Sequence, residues 1–140
     1  MNINELAEKA SSLVTHFKVT RDVYDSFQKC SQDMNPLHTD KEFASSMGFN
    51  QCVMYGNILN AFVSYFVGME LPTPEVMILT QDINYRKPFY MDDEIVLEAK
   101  IEEMSDAAGY VLYKLKFKRE DGDKYTLIAN GHVRVGLLTR

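Results

Sequence analysis

The sequence predicts an α+β domain in which an antiparallel β-sheet wraps around one long central helix. Residues 56 to 69 carry Ile58, Leu59, Phe62, Val63, Tyr65, Phe66 and Val67, which cover nearly every side of a helix. A helix that is apolar all round is expected to be buried all round. Four strand-like runs follow it, and turn residues between the later runs suit hairpin connections. A length of 140 residues fits a single domain, 1–140, with residues 1–13 as an N-terminal helical extension.

Each element has a local reason. Ile3, Leu6, Ala10 and Leu13 share the spacing of a short amphipathic helix. Phe17 to Val19 reads as a first strand, with His16 just before it. Thr20 is placed to cap a second helix, with Asp22 in its first turn and Val23, Phe27 and Cys30 on one face, ending near Gln32. Pro36 disfavours helical geometry at Asn35, so Asp33 to His38 is expected to be a structured loop. Thr39-Asp40-Lys41-Glu42 matches a capping box for a short helix over residues 40 to 47, and Gly48 is a natural left-handed stop. After the central helix, residues 76 to 85 are rich in β-formers. Residues 94 to 104 alternate Ile95, Leu97, Ala99 and Ile101 with Val96, Glu98, Lys100 and Glu102, and residues 110 to 118 and 124 to 135 alternate in the same way. Glu120-Asp121-Gly122-Asp123 carries a tight-turn Asp-Gly pair, and Asp106-Ala107-Ala108-Gly109 a looser one.

Composition excludes several function classes. A net charge of -5 offers polyphosphate no attraction, so no nucleic-acid partner is expected. Lys114, Lys116, Lys118 and Arg119 read as the solvated face of a strand. Apolar runs are interrupted well before they could span a bilayer, and the N-terminal residues resemble neither a leader nor an anchor, so no membrane association is expected. Cys30 and Cys52 are isolated, which suggests neither a disulfide framework nor a metal site and suits the cytoplasm.

Asp33 and His38 are the residues that point to chemistry. A carboxylate and an imidazole five positions apart, across a turn stiffened by proline, are able to reach one water from two sides. Taken singly, Asp33 reads as a helix-end residue and His38 as a surface loop residue. His16 and His132 read as ordinary surface residues.

The segment Ser31-Gln32-Asp33-Met34-Asn35-Pro36-Leu37-His38-Thr39-Asp40 resembles the hydratase motif of the MaoC-like, R-specific enoyl-CoA hydratase family. Phe43-Ala44, Gly48-Phe49 and Gly56 fall where that family has similar residues. Asn84-Tyr85-Arg86-Lys87-Pro88, followed by Asp92-Asp93-Glu94-Ile95, resembles its strand that ends in proline and restarts after an acidic turn. The likeness runs over roughly residues 15 to 135.

The resemblance implies a hot-dog fold, a homodimer, and reversible hydration of a trans-2-enoyl thioester to the (R)-3-hydroxyacyl form. It implies Asp33 as the base, His38 as its partner on the water, and the Gly56 amide as the donor to the thioester carbonyl. Asn35, Tyr55, Asn57 and Ser64 are the implied substrate contacts. Coenzyme A or acyl carrier protein enters only as part of the substrate thioester, with no metal and no other cofactor. Two positions depart from the family pattern: Tyr55 stands where many members have His, and Asp92 where glycine is commoner. The crowding of Tyr55, Phe62, Tyr65 and Phe66 predicts a short acyl pocket.

Two alternatives stay open. A hot-dog acyl-CoA thioesterase commonly carries its working carboxylate on or beside the central helix, whereas here no acid occurs from Gly56 to Met69 and Glu70 arrives only at the end. A non-catalytic hot-dog acyl-binding or dimerisation module would have no use for Asp33 and His38 together. Ser64 also reads as a helix serine bonded to the preceding turn.

Overall fold

The computed structural model describes residues 1–139. In chain order the elements are α1 (Ile3–Lys9), β1 (Ser12–Lys18), α2 (Arg21–Ser31), α3 (Pro36–Thr39), α4 (Lys41–Ser46), α5 (Ile58–Tyr65), β2 (Val76–Tyr85), β3 (Glu94–Ser105), β4 (Tyr110–Asp121) and β5 (Lys124–Leu137). A π-helical turn, Phe66–Glu70, continues α5. All five strands form one antiparallel sheet in the order β1-β3-β4-β5-β2, which curls around α5 as the hot-dog fold requires.

Alternation places the apolar set of each strand inside. Ile95, Leu97 and Ala99 of β3, Val111, Tyr113, Leu115 and Phe117 of β4, and Ala129, Val133 and Val135 of β5 pack with Ile58, Leu59, Phe62, Val63, Phe66 and Val67 of the central helix. Burying each of the larger side chains contributes about 1.5–3 kcal/mol before the entropy of ordering it is subtracted. The β4–β5 hairpin turns at Gly122 and Asp123, with Gly122 left-handed at φ 64°. Gly131 has a steric reason: a Cβ there would lie 1.9 Å from the Asp82 carbonyl oxygen of the neighbouring strand.

Several expectations are corrected. The N-terminal helix stops at Lys9 rather than running to residue 13, and the first strand begins at Ser12 rather than Phe17. Edge pairing decides this, because Ser12 to Lys18 forms a continuous antiparallel ladder with Lys100 to Glu94. The buried Tyr113 hydroxyl also donates to the Ala10 carbonyl at 2.8 Å, holding the end of α1 against the sheet. His16 therefore lies inside β1, exposed and 3.7 Å from Glu120.

The central helix is not buried all round. Ala61, Ser64, Tyr65, Gly68 and Met69 form an exposed flank, with Met69 at 70% exposure. Five strands cover one side of a helix, while α2 and a Phe17–Phe62 ring stack at 4.2 Å cover part of the other. Asp92 sits in the left-handed region at φ 68°, which is the conformation that makes glycine common there. Among the described residues no helix is long and apolar enough to cross a membrane.

Candidate active site

The loop after α2 is built from a ladder of side-chain caps two residues apart. Ser31 Oγ accepts the Asp33 N–H at 3.1 Å, Asp33 Oδ1 accepts the Asn35 N–H at 2.9 Å, and Asn35 Oδ1 accepts the Leu37 N–H at 2.9 Å. Short polar side chains form such turns readily, because their oxygens reach the backbone two residues ahead. Gln32 adopts φ 59° and ends α2 where the sequence places its end. Pro36 then opens α3 at its first position, where a missing N–H costs nothing.

His38 therefore lies in a short helix rather than in the structured loop expected over Asp33 to His38. The expected Thr39 cap also moves by one residue. Asp40 Oδ1 accepts the Glu42 and Phe43 N–H groups at 3.0 and 3.2 Å, while the Thr39 hydroxyl lies 3.3 and 3.2 Å from the carbonyls of Met34 and Asn35. Because α3 already uses Thr39, the next residue, Asp40, caps α4. Gly48 follows α4 at φ 93°, the left-handed stop expected there.

This geometry brings Asp33 and His38 to one cleft of about 330 Å³, lined also by Phe27, Ser31, Tyr55, Gly56, Asn57 and Tyr85. Asp33 is exposed, and its Oδ2 has no hydrogen-bond partner among the described residues. His38 Nδ1 lies 2.7 Å from the Val53 carbonyl oxygen. A carbonyl only accepts, so Nδ1 carries the hydrogen and Nε2 of the neutral ring is left with the lone pair. The imidazole packs on the Tyr55 ring with centroids 4.3 Å apart. Val53 is itself held by its N–H to Leu37 O at 3.1 Å, and Met54 by its N–H to Phe89 O at 2.9 Å. These two bonds join the His38 segment to the chain beyond β2.

Gly56 is half-buried at the entrance to α5, and no group among the described residues accepts its N–H. The unpaired Gly56 amide and the positive end of the helix dipole make this an electrophilic corner of the cleft. A Cβ at Gly56 would meet Tyr85 Cε1 at 2.9 Å. Tyr85 is held in turn by its hydroxyl, which donates to Asn57 Oδ1 at 3.0 Å and accepts from Asn60 Nδ2 at 3.1 Å. On the far side of Tyr85, a second cleft of about 300 Å³ shares His38, Gly56 and Tyr85 and is walled by Arg86, Lys87 and Pro88. The Ile128 carbonyl, at a bulge in β5, accepts both the Arg86 and Lys87 N–H groups at 2.8 and 3.1 Å and so turns this segment toward the site.

The remaining sequence-predicted contacts divide. Tyr55 and Asn57 line the shared cleft, Tyr55 from a buried position. Asn35 is not in the cleft lining, because its side chain caps α3 instead. Ser64 lies on the exposed flank of α5, outside that lining. Of the aromatics expected to crowd an acyl pocket, Tyr55 lines the cleft, Phe62 lines a neighbouring apolar cavity with Phe27 and Ile58, Phe66 is wholly buried in the core and Tyr65 is exposed. Phe27, Ser31 and Tyr85 are the wall residues that sequence reasoning missed. Ser31 and Tyr85 stood in segments of recognised likeness, and Phe27 on the apolar face of α2, so none carried a chemical signal of its own.

Comparison with known proteins agrees over most of the chain. The model of the MaoC like domain matches residues 4–118. An (R)-specific enoyl-CoA hydratase of Aeromonas caviae is 30% identical over 76 residues, 54% of this chain and 57% of that one. A mitochondrial 3-hydroxyacyl-(acyl-carrier-protein) dehydratase of Solanum lycopersicum is 26% identical over 98 residues, 69% of this chain and 58% of that one. The matches thus span less than two thirds of the length of these curated relatives. Among solved structures, the (R)-hydratase of A. caviae superposes with a TM-score of 0.80 at 22% identity, covering 90% of this chain and 93% of that one.

Proposed function

The chain belongs to the family of MaoC-like domains, and on that premise we propose that it is a lyase that adds water to a trans-2-enoyl thioester, or removes it from an (R)-3-hydroxyacyl thioester. The observation that carries this reading is the convergence of the Asp33 carboxylate, His38 and the Gly56 amide on one cleft of about 330 Å³. Hydration needs a base for water and a hydrogen-bond donor where the thioester oxygen gains charge, and these three groups supply both.

Asp33 takes a proton from water while His38 Nε2 holds the water in line with C3. The oxygen bonds to C3, electrons move through C2 toward the thioester carbonyl, and the Gly56 N–H stabilises the charge that develops there. The Asp33–His38 pair returns one proton to C2, so water is added with no net change in protons or electrons. The step is redox-neutral and calls for no metal or redox cofactor. Coenzyme A or acyl carrier protein belongs to the substrate, and the cationic Arg86 and Lys87 beside the second cleft suit the phosphate of either carrier.

The assay is loss of the conjugated enoyl-thioester absorbance with crotonyl-CoA and longer enoyl-CoAs, with free thiol followed in parallel. Absorbance loss without thiol release is the expected result. Thiol release identifies a thioesterase instead, and silence in both channels identifies a binding module.

The exposed apolar residues Met77 and Leu79 on edge strand β2 support a homodimer, because an unpaired edge invites a second chain. The free thiols of Cys30 and Cys52 support a cytoplasmic location.

A further inference from the structure

Beneath the cleft, three residues from two distant segments form one directed hydrogen-bond network. Gln28 lies one turn after Tyr24 on α2, and its Nε2 donates to both the Tyr24 and the Tyr55 hydroxyls, each at 3.1 Å. A hydroxyl carries a single hydrogen, and having accepted from Gln28 each tyrosine is free to donate onward. Tyr24 donates to the His38 carbonyl at 2.8 Å, and Tyr55 to the Asp33 carbonyl at 2.5 Å. One carboxamide thus reaches the backbone of both Asp33 and His38.

The direction of the network is fixed by counting hydrogens. Turned over, the Gln28 carboxamide would present its oxygen to two hydroxyls. Each hydroxyl would then give its hydrogen to Gln28 and release a backbone carbonyl. The rings are locked as well: Tyr24 and Tyr55 are 7% and 2% exposed, Tyr55 packs on Phe27 at 4.9 Å, and the two tyrosine rings lie 5.5 Å apart. Burial raises the Tyr24 phenol above its ordinary value, which keeps it protonated and donating.

We infer that Gln28 is a positioning residue, which sets the separation and orientation of Asp33 and His38 by directing the Tyr24 and Tyr55 hydroxyls onto their backbone carbonyls. The inference rests on the hydratase reading given above. The cap ladder fixes the local shape of the Ser31–Leu37 turn, but it bonds nothing beneath the turn. The Gln28 network ties both ends of the turn to the packed face of α2 and to the start of the central helix. Tyr55 thereby gains a function at the position where the sequence departs from the family's common histidine.

Gln28→Glu tests the direction of the network, since it keeps the length and polarity of the side chain but replaces two donors by acceptors. Gln28→Met keeps the length and removes polarity. Tyr24→Phe and Tyr55→Phe keep both rings and cut one arm each. In enoyl-CoA hydration assays run above neutral pH beside melting curves, both Gln28 variants are expected to lower kcat about tenfold to a hundredfold, the range that small misplacement of reacting groups produces. For the Gln28 variants KM should stay within about twofold, because Gln28 does not line the cleft. Gln28→Glu combined with Tyr55→Phe should be little worse than the poorer single variant, since both cut one chain of bonds.

A Gln28→Glu protein with wild-type kcat overturns the proposal, as does a loss confined to KM or one that follows the melting temperature. If the Gln28 variants fail to fold, the two phenylalanine variants decide, and full turnover by both rejects it. A folded wild-type protein that hydrates no enoyl thioester rejects the hydratase reading and the proposal together. An active wild type with an inert Asp33→Asn and fully active Gln28 variants rejects the proposal alone.

Discussion

The Ser31–Thr39 turn and the helix from Ile58 to Glu70, with Gly56 at its entrance, frame the same cleft but are held by different forces. The turn is mostly exposed and is shaped by polar bonds between side chains and nearby backbone. The helix is fixed by apolar side chains packed into the sheet, with Ile58, Leu59, Val63 and Phe66 wholly buried. Stability therefore resides in the helix and reactivity in the turn. Substitutions should separate the two, changing melting temperature in one region and turnover in the other.

The largest effect should come from the core. Leu59→Ala removes a wholly buried side chain of α5 from the core it shares with the sheet, and comparable truncations cost about 2–5 kcal/mol. Denaturant unfolding should show that loss, and the folded fraction should retain most of its turnover. A melting point unchanged by Leu59→Ala would break the contrast from the helix side.

Next come the two groups in the cleft. Asp33→Asn and His38→Ala should each lower hydration on the order of a hundredfold, the usual contribution of a general acid or base. Their thermal unfolding should move little. As the pair acts on one water, the double variant should be little worse than the poorer single one. If Asp33→Asn unfolds, the turn is part of the stability of the domain and the contrast fails; near-normal hydration by a folded Asp33→Asn rejects the catalytic assignment.

Asn35→Ala sharpens the comparison, because it removes the cap of α3 without touching a group in the cleft lining. Loss of such a cap typically costs about 1 kcal/mol. Turnover should fall further than that figure suggests, since His38 directly follows the capped Leu37 amide. Steady-state kinetics compared with urea midpoints will show whether rate or stability responds more.

The smallest effect concerns pH. Burial raises the Tyr113 phenol above its ordinary value of 10.0. A raised folded-state value means that the folded protein holds this proton more tightly than the unfolded chain does. The contribution is complete below the unfolded value and is lost as pH climbs above 10.0 toward the folded one. Urea midpoints measured across that window should fall with pH, and Tyr113→Phe should flatten the slope. A slope unaltered by that substitution would show that other groups govern alkaline unfolding.

Much of the architecture was legible because it depends on near neighbours. Richness in β-formers specified β2 and alternation β3 to β5, Thr20 specified the start of α2, and its side chain does accept the Val23 N–H at 3.2 Å. Asp33, Asn35 and Pro36 marked a turn because their side chains act on backbone one or two residues away. Elements that depend on distant partners were misread. β1 begins early because β3 pairs with it, the α4 cap moves to Asp40 because α3 occupies Thr39, and α5 keeps an open flank because one five-stranded sheet covers only one side of it.

By itself, then, the sequence determined the α+β class, the turn that carries Asp33 and His38, and the glycine at the entrance to the central helix, all through periodicity, capping and resemblance. Tertiary structure alone decided that Tyr24 and Tyr55 would meet through Gln28 and reach the carbonyls of His38 and Asp33, across sequence separations of 14, 22 and 27 residues. Pairings over such distances leave no periodic trace in the chain. They arise only when apolar packing has brought the segments together, and the hydrogen bonds then select one arrangement from those that packing allows.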